Sequence, residues 1–153
     1  MPEVELKRIT RDNWEDALAL KVAKSQESFV PTPAVSLAKV YIKPDGENVE
    51  YIPFGIYDDD KMVGFIMHAY VEETNDMYWI NGFLIDASYQ GKGYGKAALG
   101  EMITWIKNQF GQCQIIHLTV FQQNQVAKTL YERHGFVPTG QVFAGEDVMK
   151  LTV

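Results

Sequence analysis

A glycine-rich stretch carries the clearest potential for chemistry in this sequence. Three glycines stand at alternate positions with two lysines among them: Gly91, Lys92, Gly93, Gly95 and Lys96. Glycine lets a backbone approach a ligand closely, and the first turn of a helix offers unpaired N–H groups at the positive end of its dipole. If a helix follows these glycines, the stretch predicts a binding site for an anion, most simply a phosphate-bearing ligand.

The elements on either side of the glycines fit that requirement. An apolar run, Phe83–Ile85, comes before them and predicts a buried strand. After them the period changes, and apolar residues recur on one face of a helix: Ala98, Leu99, Met102, Ile103 and Ile106. Strand, glycine loop and helix therefore follow one another in the order that a phosphate site needs.

Two common phosphate loops fit this stretch poorly. The Walker pattern fails because no glycine precedes Lys96 at the required spacing with a hydroxyl residue after it. The dinucleotide pattern is met formally by Gly93, Gly95 and Ala98, but residues 86–92 separate the strand from the turn. The next predicted strand is also followed by Gln122 instead of the acid that would bind a ribose, so a nicotinamide cofactor is disfavoured.

Composition narrows the class of protein. The 153 residues are 46% hydrophobic and 22% charged, which predicts a single folded domain over 1–153. No apolar run approaches the roughly 20 residues that span a bilayer, the first ten residues do not form a secretory signal, and one cysteine excludes an internal disulfide. We therefore expect a cytoplasmic protein without a membrane partner. Its net charge of −6 argues against nucleic acid and suits a cationic substrate.

The remaining pattern predicts an α/β fold built on one mixed sheet. Residues 51–57, 62–71 and 77–85 read as antiparallel neighbours because short turns join them. The strand at 115–121 follows a crossover helix and should lie parallel to 77–85, and 136–142 with 147–153 should form a closing hairpin. The sheet is thus mostly antiparallel with one central parallel pair, flanked by helices. One of these should contain Trp14, Leu18 and Val22 and another should cover 34–42.

The stretch Gln90-Gly91-Lys92-Gly93-Tyr94-Gly95 resembles the Q/R-x-x-G-x-G/A signature of the GNAT superfamily of N-acetyltransferases. A second segment of that family is matched by Asn124, Tyr131 and Gly135-Phe136 at the family's spacing. Together the similar segments cover residues 77–137. Within the superfamily the chain is most similar to bacterial spermine/spermidine acetyltransferases, through YWINGFLID, YQGKGYGK, LYERHGF and a final GE-D-VM-K segment.

The resemblance implies a role for each part of the cofactor end. The backbone of Phe83, Leu84 and Ile85 would pair with the pantetheine arm of acetyl-CoA, where the parallel strands splay apart just past Ile85. One N–H, at Leu84 or Ile85, would polarise the thioester carbonyl. Asn124 would bind the arm, cap the following helix, or do both. The pyrophosphate would be wrapped by Gln90, Gly91, Lys92, Gly93, Tyr94, Gly95 and Lys96.

The resemblance also implies that Tyr131 is the general acid that protonates the departing thiolate. At the acceptor end, polyamine acetylases have an acidic residue where this chain has Asn81, with Trp79 beside it. The group that deprotonates the amine therefore stays open. It is either a water chain or one of the loop acids, Glu27, Glu72, Glu73 and Asp76.

The leading hypothesis is direct acetyl transfer from acetyl-CoA to a primary amine of a small cation, first of all a polyamine. A route through acetylated Cys113 is disfavoured because no base accompanies it, and no histidine spacing indicates a metal. The alternatives are another amine, such as an amino sugar, an aminoglycoside or a protein N-terminus, and a non-catalytic acyl-CoA-binding module. The edges of the closing hairpin also suggest a homodimer.

Overall fold

The computed structural model describes residues 2–153 and contains the predicted strands and helices. The helix after the glycine loop begins at Tyr94, immediately beyond Gly93. No helix within residues 2–153 combines the length and the apolar run that a bilayer crossing requires. In chain order the elements are β1 (Glu5–Arg8), α1 (Trp14–Leu18), α2 (Pro33–Ile42), β2 (Val49–Asp58), β3 (Lys61–Val71), β4 (Tyr78–Ile85), α3 (Tyr94–Gln109), β5 (Ile115–Phe121), α4 (Gln125–Arg133), β6 (Val137–Phe143) and β7 (Glu146–Thr152).

The strands form one seven-stranded sheet in the order β1-β2-β3-β4-β5-β7-β6. Within residues 2–153 every neighbouring pair is antiparallel except β4 and β5, which are parallel. This confirms the mixed sheet with one central parallel pair. One face packs on α3 and α4, and the other on α1 and α2, so the sheet has an apolar core on each side.

The first helix differs from its prediction. It ends at Leu18, so Val22 lies beyond it, and Trp14 is 45% exposed instead of buried. The start is set by Asn13, whose side chain accepts the Thr10 N–H at 2.7 Å. That turn closes before the helix begins and leaves only five residues in helical conformation.

Strands β4 and β5 separate much earlier than predicted. They pair only at Tyr78 with Ile116 and at Trp79 with His117, so the expected separation just past Ile85 is wrong. Beyond that point β4 continues beside β3, and β5 continues beside β7. A wedge therefore opens between the two parallel strands. From Ile80 onward, the edge of β4 that faces β5 has no partner strand.

A bulge in β4 turns the end of the strand toward α3 and α4. The register with β3 shifts between Phe65 and Met67, opposite Gly82, whose φ is +62°. Ile80 belongs to the core beneath α3, and after the bulge Phe83 and Ile85 pack on that same core. Strict alternation would have placed them on the opposite face. The bulge is thus what brings these side chains to the α3 side of the wedge.

Candidate active site

A cavity of about 350 Å³ lies beside the end of β4. It is bounded by the glycine loop, by α4 and by the segment before α2, which contributes Phe29 and Val30. This wall was not predicted from the sequence, where Glu27 alone was named in that segment. The predicted cofactor residues that line the cavity are Phe83, Leu84, Ile85, Gln90, Gly91, Gly93, Tyr94, Gly95 and Asn124, and Tyr131 lines it too.

The glycine loop presents an unusual number of free donors. Gly91 has φ +76° and Gly93 has φ +90°, conformations that side chains rarely adopt. Within residues 2–153, none of the seven backbone N–H groups from Gln90 to Lys96 donates a hydrogen bond. The last of these belong to the first turn of α3, where the helix dipole is positive. Such a loop is suited to bind a polyanion.

Side chains hold the loop in place. The Gln90 amide nitrogen donates to the Ile85 carbonyl at 2.9 Å and to the Gln26 side-chain oxygen at 2.8 Å. The Tyr94 hydroxyl donates to the Asp58 carboxylate, and that hydrogen bond raises the pKa of Tyr94. These bonds occupy side chains and leave the backbone N–H groups of the loop available. Lys92 and Lys96 are exposed and add positive charge at the rim.

The geometry of β4 distinguishes between the two predicted carbonyl-polarising donors. Asp86 N–H donates to the Val63 carbonyl of β3 at 2.8 Å, and the Leu84 carbonyl oxygen also lies against β3, beside Gly64. The Ile85 carbonyl points the other way, where it accepts from Gln90. Since the direction of the N–H groups alternates along a strand, Ile85 N–H faces the wedge and Leu84 N–H faces β3.

Asn124 and Tyr131 lie on α4, across the cavity from the loop. The Asn124 side-chain oxygen accepts the Ala127 N–H at 3.3 Å, which confirms the predicted cap of α4. Tyr131 is only 8% exposed, its ring contacts Phe136, and its hydroxyl has no hydrogen-bond partner within the described chain. Burial, and then the charge of Glu146, raise the pKa of Tyr131 above its usual value of 10.0. The phenol therefore carries its proton at neutral pH.

The predicted acceptor residues do not line this cavity. Trp79 stacks on His117, with ring centroids 4.7 Å apart, on the sheet face covered by α2. Asn81 follows on the same face. Glu27 is exposed, and Glu73 is exposed in the turn between β3 and β4, at the far end of β4 from the loop. The structure thus gives no support to a loop acid from that turn, where Glu72 and Asp76 also lie.

Glu146 is a carboxylate in the final GE-D-VM-K segment that was not predicted as a site residue. It begins β7, accepts the Thr119 hydroxyl at 3.3 Å, and acts electrostatically on Tyr131. Burial is the main reason that its pKa is raised. No spacing in the sequence linked it to Tyr131. Metal-ligand groupings of three or more His, Cys, Asp or Glu side chains do not occur in the described part of the chain.

Comparison with known proteins agrees with this geometry. The model of the acetyltransferase (GNAT) family matches residues 10–136. The chain belongs to this family. Over 152 residues it is 34% identical to the spermine/spermidine N(1)-acetyltransferase of Bacillus subtilis, a match that covers 95% of this chain and 96% of the relative.

Solved structures share the fold of this GNAT chain. Spermidine N-acetyltransferase from Vibrio cholerae, solved in complex with CoA and spermine, has a TM-score of 0.71 at 20% identity and covers 98% of this chain and 95% of its own. A GNAT-family acetyltransferase from Streptococcus pneumoniae also has a TM-score of 0.71, at 19% identity over 99% of both chains. The resemblance first drawn from the glycine loop and the Asn124–Tyr131 segment is therefore confirmed at the level of the family.

Proposed function

We propose that this protein transfers the acetyl group of acetyl-CoA to a primary amine of a polyamine, with spermidine and spermine as the first substrates to test. The proposed substrate class is supported by the similarity to the spermine/spermidine N(1)-acetyltransferase of Bacillus subtilis, which extends along 95% of this chain. The net charge of −6 supports it, because a polyamine carries several positive charges at neutral pH.

The residues present fit acetyl-CoA. The free N–H groups from Gln90 to Lys96 suit a pyrophosphate, and the N–H of Ile85 would donate to a carbonyl placed in the wedge. The amide nitrogen of Asn124 has no acceptor within residues 2–153 and would bind the arm between them. When bound, acetyl-CoA supplies an activated acetyl group and a thiolate that must be protonated.

One side chain and one backbone N–H group then assist the direct transfer. Tyr131 holds the proton that the departing sulfur takes, and the N–H of Ile85 stabilises negative charge on oxygen. Cys113 is buried outside the cavity, and burial raises the pKa of its thiol, which disfavours a covalent acetyl-cysteine. The acetyl group therefore passes straight to the amine.

A thiol-release assay tests this function. Purified protein with acetyl-CoA is expected to release free thiol faster with spermidine or spermine than with an amino sugar or a peptide with a free N-terminus. Turnover of only the latter two would reject the polyamine as substrate. Calorimetric binding of CoA without turnover of any amine would instead identify a binding module.

We also propose that two copies of the chain associate through the β6 edge of the sheet. This edge strand exposes Val137, Val142 and Phe143, the last of which is 72% exposed. Light scattering is expected to give about twice the chain mass of 17.4 kDa. Phe143→Glu should return the mass to that of one chain, and a wild-type monomer at all concentrations would contradict the proposal.

A further inference from the structure

Unpaired polar atoms line the second face of the wedge, the face covered by α2. Within residues 2–153, Ser36 Oγ, Asn81 Oδ1 and His117 Nδ1 are buried without a hydrogen-bond partner. A buried polar atom left unpaired costs about 1–3 kcal/mol, and native proteins retain few of them. Three on one face of one opening indicate a place where a polar ligand completes the bonding.

The topology brings these atoms to the same opening. Trp79 and His117 form the last parallel pair, and two residues further along each strand Asn81 and Thr119 occupy the same face on either side of the wedge. Ser36 covers β4 from α2, since its Oγ lies 2.7 Å from where a Cβ on Gly82 would stand. The wedge is thus open to the cavity on one face and lined by polar groups on the other.

Glu146 lies at the β7 side of this polar face. Its backbone pairs with Phe121 at the end of β5, and its carboxylate accepts from Thr119 at 3.3 Å. Within the described chain, no Lys, Arg or His nitrogen approaches it within 4.0 Å. The next residue, Asp147, differs in this respect, because it binds Lys128 at 3.2 Å and Gln122 at 3.0 Å.

Glu146 is linked electrostatically to one ionisable group on each of two helices. Lys39 of α2 acts on Glu146 as a positive charge at longer range, and Glu146 acts as a negative charge on Tyr131 of α4. Ser36 and Lys39 are three residues apart on α2 and so share a helix face. Glu146 is therefore within electrostatic reach of groups from α2 on one face of the sheet and from α4 on the other.

We propose that Glu146 is the catalytic residue that deprotonates the substrate ammonium, an inference that rests on the proposed function. One N–H bond of the ammonium breaks, its proton passes to a Glu146 carboxylate oxygen, and the electron pair stays on nitrogen. The products are a neutral amine, ready to attack, and a neutral carboxyl group. Asn81 Oδ1 accepts a remaining N–H of the amine and orients it.

The environment of Glu146 suits that role. Burial raises the pKa of its carboxyl group, while the Thr119 hydrogen bond and the charge of Lys39 oppose the rise. A base whose pKa lies closer to neutral takes a proton more readily from an ammonium with a pKa of about 10.4. Asn81 cannot act as a base. With Glu146 in that role, Asn81 does not have to replace the acidic residue of the family pattern.

The first test is Glu146→Gln, with kcat/KM for spermidine measured from about pH 6 to about pH 10. We expect a loss of about 10²–10⁴-fold near neutral pH that shrinks toward about pH 10, where much of the amine is already neutral. The matched control is Asp147→Asn, which removes the neighbouring, ion-paired carboxylate and should leave the pH profile unchanged. Calorimetry should show CoA binding to both variants, as evidence of folding.

Two further measurements separate a base from a residue with another role. Thr119→Val removes a hydrogen bond that stabilises the carboxylate, so the acidic limb of kcat/KM should move to higher pH, and Thr119→Ser should restore it. Carbon-13 NMR of labelled glutamates, with Glu146 assigned by its loss in the Gln variant, should show its carboxyl pKa shifting when spermidine binds.

Failure of this inference and failure of the proposed function give different results. Wild-type turnover of an amine with unchanged kcat/KM in Glu146→Gln would overturn this inference alone. A rise in KM with kcat and the pH profile intact would make Glu146 an anchor for the cation and would also overturn its role as a base. If the wild-type protein turns over no amine, the proposed function fails and the inference fails with it.

Discussion

Replacing Tyr131 with phenylalanine is expected to lower kcat for amine acetylation by about 10²- to 10⁴-fold. The change removes one oxygen atom and nothing else from the wall of the cavity. A general acid contributes most when the leaving group would otherwise depart as an unprotonated anion in a site shielded from water. The effect should therefore appear in kcat and in kcat/KM alike, and CoA affinity should change little.

The structure makes this substitution a clean one. The Tyr131 hydroxyl has no hydrogen-bond partner within residues 2–153, so its loss leaves no protein group unpaired. The ring contact with Phe136, at a centroid distance of 6.0 Å, is kept by phenylalanine. A loss of activity would then reflect a lost proton donor and not a disturbed α4.

The pH profile gives a second readout. Because burial raises the pKa of Tyr131 above 10.0, the phenol stays protonated throughout the neutral range. Wild-type kcat should therefore show no alkaline decline that originates from this group until the pH exceeds about 10.

Tyr94→Phe is the matched control, because that phenol lines the same cavity but donates to Asp58. It should retain most of kcat at saturating acetyl-CoA, while losing some stability and some affinity for CoA because its hydroxyl helps to hold the glycine loop. If Tyr131→Phe matched the wild-type kcat, or if both variants lost activity equally, Tyr131 would not be the acid.

The cofactor end was predictable from sequence because its parts are contiguous. Strand, glycine loop and helix run directly from Phe83 to Ile106, so local periodicity and glycine positions suffice to arrange the backbone donors. The cap at Asn124 likewise depends on a contact only three residues away. Neither feature needs knowledge of distant parts of the chain.

The wedge was misplaced because it depends on pairing between distant strands. Gly82 appears in the sequence as an ordinary glycine inside a strand, yet its φ of +62° and its contact with Ser36 mark the bulge that redirects β4. The separation after Trp79 is defined by pairing between residues far apart in the chain, Tyr78 with Ile116 and Trp79 with His117. Neither the bulge nor the separation of the strands can be predicted from the periodicity of residues along β4.

The proposed acceptor end was harder still to predict, because its polar groups come from four separate elements. Ser36, Asn81, Thr119 and Glu146 lie on α2, β4, β5 and β7, with no motif to connect them. Glu73 was a candidate because it is a loop acid, but the direction of β4 carries its turn away from the glycine loop. Glu146, the proposed base, begins β7, which pairs with β5 and lies far from Glu73 in the sequence.

Replacing Gly95 with alanine is expected to weaken CoA binding by about tenfold or more, an effect of about 1.4 kcal/mol. Gly95 lines the cavity in the first turn of α3, and an added Cβ would stand 3.6 Å from Leu130 and 3.9 Å from Ile85. These are ordinary contacts, so the protein itself accommodates the methyl group. A pyrophosphate that must approach the neighbouring N–H groups would meet that methyl group instead.

Gly100→Ala provides the control within the same helix. It lies further along α3, where an added Cβ meets nothing within 4 Å. Replacing a helical glycine with alanine should stabilise the protein by about 0.5–1 kcal/mol, with no change in CoA affinity. Thermal unfolding and calorimetric titration with CoA measure both quantities on both variants.

The two glycine variants together separate cofactor recognition from folding. Gly95→Ala should be at least as stable as the wild-type protein, because alanine also favours the helix there, while it loses affinity for CoA. Gly95→Val, with its larger side chain, should lose more. Unchanged affinity in both Gly95 variants would mean that the anion does not approach α3 at this turn, and the pyrophosphate would then have to be assigned to the donors around Gly91 alone.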